Sequence, residues 1–155
     1  MLRRKKRRVT VDANILIAYI VSKKEGSLER KVLIKAANDD RLLITDVIMD
    51  ECINFAYKKE GRKRGLTEAA IAAKIRELDL KIISIKPIPS DDELKAAGYA
   101  IRDDDDLKIL YSVSTINADI FVTRDDDFKG DVRGIRAKIM DPVSYIREED
   151  RRQYF

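Results

Sequence analysis

Residues 9–15, with the sequence Val-Thr-Val-Asp-Ala-Asn-Ile, decide the fold class of this chain. Val9 to Val11 is a short β-branched run, which predicts a strand buried in a parallel sheet. Asp12 follows the strand directly, and the apolar residues from Asn14 to Val21 predict a helix. The chain thus passes from a buried strand to a helix within a few residues.

The same alternation continues along the rest of the chain. Further strands are predicted at residues 42–45, 81–85, 120–123 and 137–140. Further helices are predicted at residues 28–38, 46–58, 67–78, 90–102 and 106–116, and Pro142 opens a last one. Short apolar strands between amphipathic helices indicate an α/β protein with a mostly parallel central sheet.

Three helix starts carry capping signals. Thr45 or Asp46 suits the N-cap of the helix at 46–58, and Thr67 suits that of the helix at 67–78. Ser90 is followed three residues later by Glu93, which is a capping box.

Composition narrows the classes of protein and of chemistry. The 155 residues are 45% hydrophobic and 39% charged, which suits one folded domain. No apolar run approaches the roughly 20 residues of a spanning helix, and no secretory signal is recognisable, so we expect a cytoplasmic protein without a membrane segment. The absence of histidine and the single cysteine, Cys52, exclude His-dependent nucleophile systems, His or Cys zinc sites and an internal disulfide. Carboxylate, amine and hydroxyl chemistry remain.

Positive charge is concentrated before the first strand. Residues 1–8 form a basic tail that holds six of the 32 basic residues, and residues 9–155 form the predicted domain. Without those six the chain has 26 basic and 28 acidic residues, a net charge of −2. The tail suits nucleic acid, and a solubilising extension is the alternative. A second basic cluster at residues 58–64 is interpreted as the cationic end of a helix.

Four acidic positions in distant segments are expected to converge. Asp12 and Asp125 each follow a predicted strand, so parallel strands would bring both carboxylates to one edge of the sheet. Asp106 starts a helix that leads into the strand before Asp125. Glu51 lies in a helix on the turn after another strand.

Converging carboxylates repel one another unless a cation or protons compensate. Oxygen ligands without histidine or cysteine favour Mg²⁺ or Mn²⁺ over zinc. Such ions activate water and clamp phosphate oxygens in phosphoryl transfer, which needs no histidine. Taken one at a time, each acid also has a structural interpretation as a helix cap, a polar turn or a solvated helix residue. The joint pattern favours the metal site.

The chain resembles the PIN domain family, and in particular its VapC-type toxin ribonucleases, from Val9 to Ile146. Residues 11–15 resemble the family's first motif, and residues 45–51 resemble the second. Residues 103–110 resemble the third, and residues 122–128, the most specific stretch, resemble the fourth.

This resemblance implies an α/β/α three-layer sandwich and a metal-dependent endoribonuclease, a hydrolase of RNA phosphodiester bonds. It also implies a homodimer with an antitoxin protein as partner. The implied catalytic and metal-binding residues are Asp12, Glu51, Asp106 and Asp125.

Three further residues take supporting roles by the same resemblance. Asn14 would contact a metal ligand or the substrate, Thr123 would orient Asp125 through its hydroxyl, and Asp127 would be an additional ligand. The four aspartates at 103–106 leave the third ligand open among Asp103, Asp105 and Asp106. Asp106 is favoured because it lies 17 residues before Thr123, a spacing close to the family's.

Other functions remain open at this point. The basic tail suits an RNA-processing nuclease outside a toxin–antitoxin pair, or a non-catalytic module that binds RNA or a partner protein. An Asp-based phosphoryl-transfer domain would use Asp12 as acceptor. Asn14 stands where such a domain would have a second aspartate.

Overall fold

This computed structural model describes residues 5–22 and 26–152, with residues 149–152 described by their backbone alone. The first four residues of the basic tail therefore lie outside the described part of the chain.

The centre of the domain is a parallel sheet of five strands within the described residues. The strands are β1 (Arg8–Val11), β2 (Arg41–Thr45), β3 (Leu80–Ile83), β4 (Ile120–Val122) and β5 (Lys138–Met140). Their order across the sheet is β3-β2-β1-β4-β5, and every neighbouring pair is parallel. The predicted strands are confirmed to within two residues at each end. The sheet and its helices confirm the predicted α/β class, and they give the α/β/α architecture that the resemblance to PIN domains implies.

Eight α-helices connect and cover these strands in the described chain. They are α1 (Ala13–Val21), α2 (Leu28–Asp39), α3 (Asp46–Ala56), α4 (Lys59–Lys63), α5 (Glu68–Ile75), α6 (Asp91–Ala96), α7 (Leu107–Thr115) and α8 (Pro142–Arg152). Short 3₁₀ turns at Asp104–Asp106 and Asp126–Lys129 precede α7 and follow β4.

The capping predictions are confirmed, because each side chain accepts a hydrogen bond from the backbone it was expected to cap. Thr45 accepts from the N–H of Ile48 at 3.2 Å, and Thr67 accepts from that of Ala70 at 3.0 Å. The Ser90 hydroxyl accepts from the N–H of Glu93, and the Glu93 carboxylate accepts from the N–H of Ser90.

Three predicted helices run at least two residues past the observed C-terminal ends. The helix predicted to reach residue 102 ends at Ala96, because Gly98 adopts a φ of +98° that stops the helical path. The helix predicted to reach residue 78 ends at Ile75. The helix predicted to reach residue 58 ends at Ala56, and the basic cluster after it forms the separate helix α4.

The core lies on both sides of β1, β2 and β4, whose inner residues are fully buried. Val9, Val11, Ile44 and Phe121 have no exposed surface, which explains the continuous apolar runs of these strands. Cys52 of α3 is buried as predicted, and burial is the main cause that raises the pKa of its thiol to about 12. It is therefore a packing residue.

The last residues of the basic segment belong to the folded domain. The backbone N–H of Arg7 donates to the buried carboxylate of Asp40 at 3.1 Å, and its guanidinium contacts Asp40 and Glu148 at 3.4 and 3.3 Å. The Tyr145 hydroxyl of α8 donates to the same Asp40 at 3.0 Å. These contacts fasten the start of β1 to α2 and α8.

Within the described residues, none of the helices combines the length and the apolar character that crossing a bilayer requires.

Gly61 determines how closely α4 packs against the end of α3, and replacing it tests this helix–helix contact. A Cβ at Gly61 would lie 2.1 Å from the carbonyl oxygen of Phe55 and 2.9 Å from the Cα of Ala56. We expect Gly61→Ala to lower the free energy of unfolding by about 1–3 kcal/mol in urea titrations, since both obstructing groups are backbone. Gly26→Ala is the matched control, because nothing lies within 4 Å of its Cβ position. Equal stability of the two variants would contradict this packing argument.

Candidate metal centre

The strand order fixes where the candidate site forms. From β1 the chain runs outward to β2 and β3, and it then returns to the other side of β1 as β4. The connections therefore diverge between β1 and β4, and a crevice opens beyond the carboxyl ends of these two strands. Asp12 follows β1 at this point, and Thr123 and Asp125 follow β4.

Asp12 is held by groups at the end of β4 and at the start of α1. Its N–H donates to the carbonyl of Val122 at 2.9 Å, and its Oδ1 accepts from the N–H of Ala13 at 2.8 Å, where it caps α1. Its Oδ2 accepts from the Thr123 hydroxyl at 2.7 Å and from the Asn14 amide at 3.5 Å. Asp12 is only 6% exposed, so its carboxylate has one fixed orientation towards the crevice.

Thr123 joins Asp12 to the loop that carries Asp125. Its hydroxyl donates to Asp12 and accepts from the backbone N–H of Asp125 at 3.0 Å. The sequence predicts that Thr123 orients Asp125. The contact exists, but it runs through the backbone of Asp125, and the carboxylate that Thr123 touches directly belongs to Asp12. The Asp125 carboxylate caps the 3₁₀ turn after β4, where it accepts from the N–H of Asp127 at 2.9 Å.

A buried hydroxyl pair connects the two helices that carry the other acids. The N-cap Thr45 of α3 donates to Ser112 of α7 at 3.1 Å, and both side chains are fully buried. Glu51 lies in α3, and Asp106 immediately precedes α7. This contact therefore fixes the distance between the helices that present Glu51 and Asp106.

The four acids predicted from the sequence line one open cleft of about 620 Å³. The cleft is lined by residues that follow β1, lie in α1 and α3, flank α4, precede α7 or follow β4. Those residues are Asp12, Ala13, Asn14, Ile17, Ala18, Glu51, Asn54, Phe55, Lys58, Arg64, Asp106 and Asp125.

The carboxyl groups in this cleft hold protons more tightly than usual. Burial, and then repulsion by Asp12, raises the pKa of Glu51 to about 7, although Lys58 opposes the rise. Burial, and then repulsion by Asp125, raises the pKa of Asp106 to about 7. Burial also raises the pKa of Asp12, against the lowering effect of the hydrogen bond from Thr123. Glu51 keeps an exposed part of its surface, so repulsion by Asp12 and Asp125 adds to the effect of its partial burial.

Asp127 lies beside this group, and the structure does not place it among the residues that line the cleft. Oxygen atoms of Asp103, Asp106 and Asp127 lie within 4.8 Å of one another. Asp127 also forms an ion pair with Arg102, which partly neutralises it. Asp106 is thus the one member of the four-aspartate run that belongs both to the cleft and to this triad, whereas Asp105 is exposed outside both.

Sequence reasoning missed several residues of the cleft. Asn54 and Phe55 follow Glu51 in α3 at helical spacing, and Lys58 continues that spacing just after the helix, which was the available signal that they lie on the side of Glu51. The sequence alone indicates that Lys58 and Arg64 are helix-end charges, and the structure adds that both line the carboxylate cleft.

The donor set fits a hard divalent cation. All charged groups of the predicted ligand set are carboxylates, and burial together with repulsion by Asp12 and Asp125 raises the pKa values of Glu51 and Asp106 to about 7. A cation between them would relieve this repulsion. Asp12, Glu51, Asp106 and Asp125 would hold such an ion, since oxygen-rich sites favour Mg²⁺ or Mn²⁺.

A sequence model of the family described as PIN domain matches residues 9–130, most of the chain and all four acids. This chain belongs to the PIN domain family. Proteins with this domain are generally metal-dependent nucleases, in agreement with the donor set.

Among solved structures, this PIN domain is similar to the crystal structure of PAE2754 from Pyrobaculum aerophilum. The TM-score is 0.55 at 17% sequence identity, over 91% of this chain and 94% of the other. At this identity the likeness supports the fold. A search of curated proteins finds no match in sequence.

Carboxylate repulsion in the metal-free PIN domain predicts a pH dependence of its stability. Glu51 has an ordinary pKa of 4.5 and a folded pKa of about 7, so between these values it ionises more readily in the unfolded chain. Stability should therefore fall as pH rises from 4.5 to about 7 and level off above. In urea unfolding with EDTA, we expect Glu51→Gln to reduce this fall.

The matched control is Asp126→Asn, which removes a carboxylate that is 80% exposed and outside the cleft. It should retain the full fall in stability. If stability falls with pH in Glu51→Gln as it does in the wild type, the pKa of Glu51 is not raised in the folded protein.

Proposed function

We propose that this PIN domain is an endoribonuclease that depends on Mg²⁺ or Mn²⁺ and hydrolyses RNA phosphodiester bonds. The observation that carries the proposal is the convergence of four carboxylates from four separate segments on one open cleft. A structural role for each acid taken singly does not account for this convergence, because repulsion between them opposes folding.

The residues of the cleft divide into those that would hold metal and those that would hold phosphate. Asp12, Glu51, Asp106 and Asp125 form the anionic floor. A bound Mg²⁺ or Mn²⁺ would lower the pKa of an attacking water and offset charge on the phosphate. Thr123 and the N–H of Ala13 fix the Asp12 carboxylate, so that its orientation would not change during a turnover.

Lys58 and Arg64 would contact the phosphates of the RNA strand. Both side chains line the same cleft as the four acids, and both are exposed to solvent. A cation at the rim attracts a polyanion that the carboxylates alone would repel. The half-buried ring of Phe55 lies in the same lining and offers an apolar surface to a base or ribose.

The proposal extends to the biological setting that the VapC resemblance implies. In that setting the domain is the toxin of a toxin–antitoxin pair, acts in the cytoplasm, forms a homodimer and binds an antitoxin protein. A processing nuclease outside such a pair is the second candidate, and the basic residues before β1 favour it. Asn14 and the membership of the PIN family both favour RNA hydrolysis over phosphoryl transfer to Asp12.

Removal of one acid from the cleft tests the reaction. We expect wild-type protein to cleave structured RNA in Mn²⁺ or Mg²⁺ and not in EDTA. Asp12→Asn should reduce the cleavage rate by more than the ~100-fold that loss of an outer contact to a metal ligand costs. Cleavage is measured by gel electrophoresis of end-labelled RNA, with folding checked by circular dichroism.

Asp126→Asn is again the matched control, because Asp126 is the neighbour of Asp125 but does not line the cleft. It should cleave like the wild type. Full activity of Asp12→Asn, or undiminished cleavage in EDTA, would refute the metal-dependent mechanism.

The cations at the rim are tested separately. Lys58→Gln and Arg64→Gln should each raise KM for RNA about 10-fold, the effect of losing one charge-assisted contact. Mn²⁺ binding, followed by calorimetry, should not weaken. Lys59→Gln is the control, because Lys59 is exposed next to Lys58 and outside the cleft. A loss of Mn²⁺ affinity with unchanged KM would assign these cations to the metal centre instead.

A further inference from the structure

A cationic surface lies at the end of the sheet opposite to the carboxylate cleft. It surrounds an open depression of about 560 Å³ where the strands begin. We call it the basic surface, and its residues are Lys5, Lys6, Arg8, Arg41, Asn117, Asp119 and Arg136. Five of its seven residues are cationic and one is acidic.

The sheet arranges these charges in a row. Arg8 and Arg41 begin β1 and β2, and their Cα atoms are partners in the parallel register. Asp119 precedes β4, and its N–H donates to the carbonyl of Arg8 at 2.8 Å. Arg136 precedes β5 by two residues. Four adjacent strands at ~4.8 Å spacing extend this row over roughly 14 Å.

Most of this positive charge is not neutralised within the protein. Lys5, Lys6, Arg41 and Arg136 are exposed, and in the described part of the chain none of them forms an ion pair. The acidic member, Asp119, accepts the backbone N–H of Arg8 at 2.8 Å. The basic surface therefore has an excess of cations available to an anionic partner.

The lining favours a nucleic acid over a protein or a membrane. All seven side chains are charged or polar, so there is no apolar centre of the kind that protein interfaces bury. A peripheral membrane site would also need apolar groups to insert. The depression is wide and its cations are exposed, which does not suit the enclosure of one small anion. Protein surfaces that bind nucleic acid are polar, strongly positive and wet.

We propose that the basic surface binds the phosphate backbone of a nucleic acid, without the metal of the cleft and without reading bases. The two sites lie at opposite ends of strands of three to five residues. At about 3.3 Å per residue, that is some 10–17 Å of sheet between them. A nucleic acid must therefore pass around the domain to reach both, and a short oligonucleotide occupies one site at a time.

The test is binding in EDTA, which does not depend on the proposed nuclease activity. The variant combines Lys6→Gln, Arg41→Gln and Arg136→Gln, and the probe is a fluorescent single-stranded RNA of unstructured sequence followed by anisotropy. We expect affinity to fall at least 10-fold. The slope of log Kd against log salt should fall by about 2, since each lost contact to a single strand contributes ~0.7.

A second triple variant removes the same charge elsewhere. Lys31→Gln, Arg76→Gln and Lys81→Gln are exposed substitutions outside both depressions, and they should leave the affinity and the salt slope close to wild type. If both triple variants lose RNA affinity equally, the loss reflects the net charge of the protein, and the proposal is overturned. If the first variant does not fold, the pair Lys6→Gln and Arg136→Gln leaves both strand residues in place and should lower the slope by about 1.4.

Two further arms separate the remaining outcomes. Polyglutamate that displaces RNA at equal charge concentration would overturn the proposal in favour of an acidic protein partner. Absence of cleavage by the wild type in Mn²⁺ would refute the proposed nuclease and leave the binding result unchanged.

Discussion

The hydrogen bond from Thr123 to Asp12, at 2.7 Å, is the contact on which the candidate centre depends. It joins the ends of β1 and β4 at the point where the strand order reverses, and the same hydroxyl accepts the N–H of Asp125. Burial raises the pKa of Asp12, and this bond is the largest opposing effect. The Thr123 hydroxyl thus holds the buried carboxylate of Asp12 and also positions the backbone of Asp125.

Much of the fold and four residues of the site were predictable because their signals are local. An acid directly after an apolar strand, as at Asp12, is placed at the carboxyl edge of the sheet by the strand itself. Element ends were less predictable, since Ala96 ends α6 only because Gly98 takes a positive φ. The contribution of Arg64 depends on how α4 packs against α3, and no local pattern in the sequence shows that packing.

Charge is segregated along the strands of this domain. The carboxyl edge gathers acids with raised pKa values, and the amino edge gathers the cations of the basic surface, most of which form no ion pair in the described chain. The parallel sheet causes this separation, because every strand begins at one edge and ends at the other. A residue's place in the strand therefore decides which of the two electrostatic environments it joins. The net charge of +4 conceals this polarity.

The contacts of Arg7 have a topological consequence. Its guanidinium lies 3.3 Å from Glu148 of α8, so the chain segments that open and close the domain touch. The first strand and the last helix of the described fold are therefore neighbours, and a short linker would be enough to join them. A circularly permuted chain, opened at the exposed Gly65 between α4 and α5, would keep all five strands and their order. The architecture would then not depend on the order in which its helices and strands follow one another along the chain.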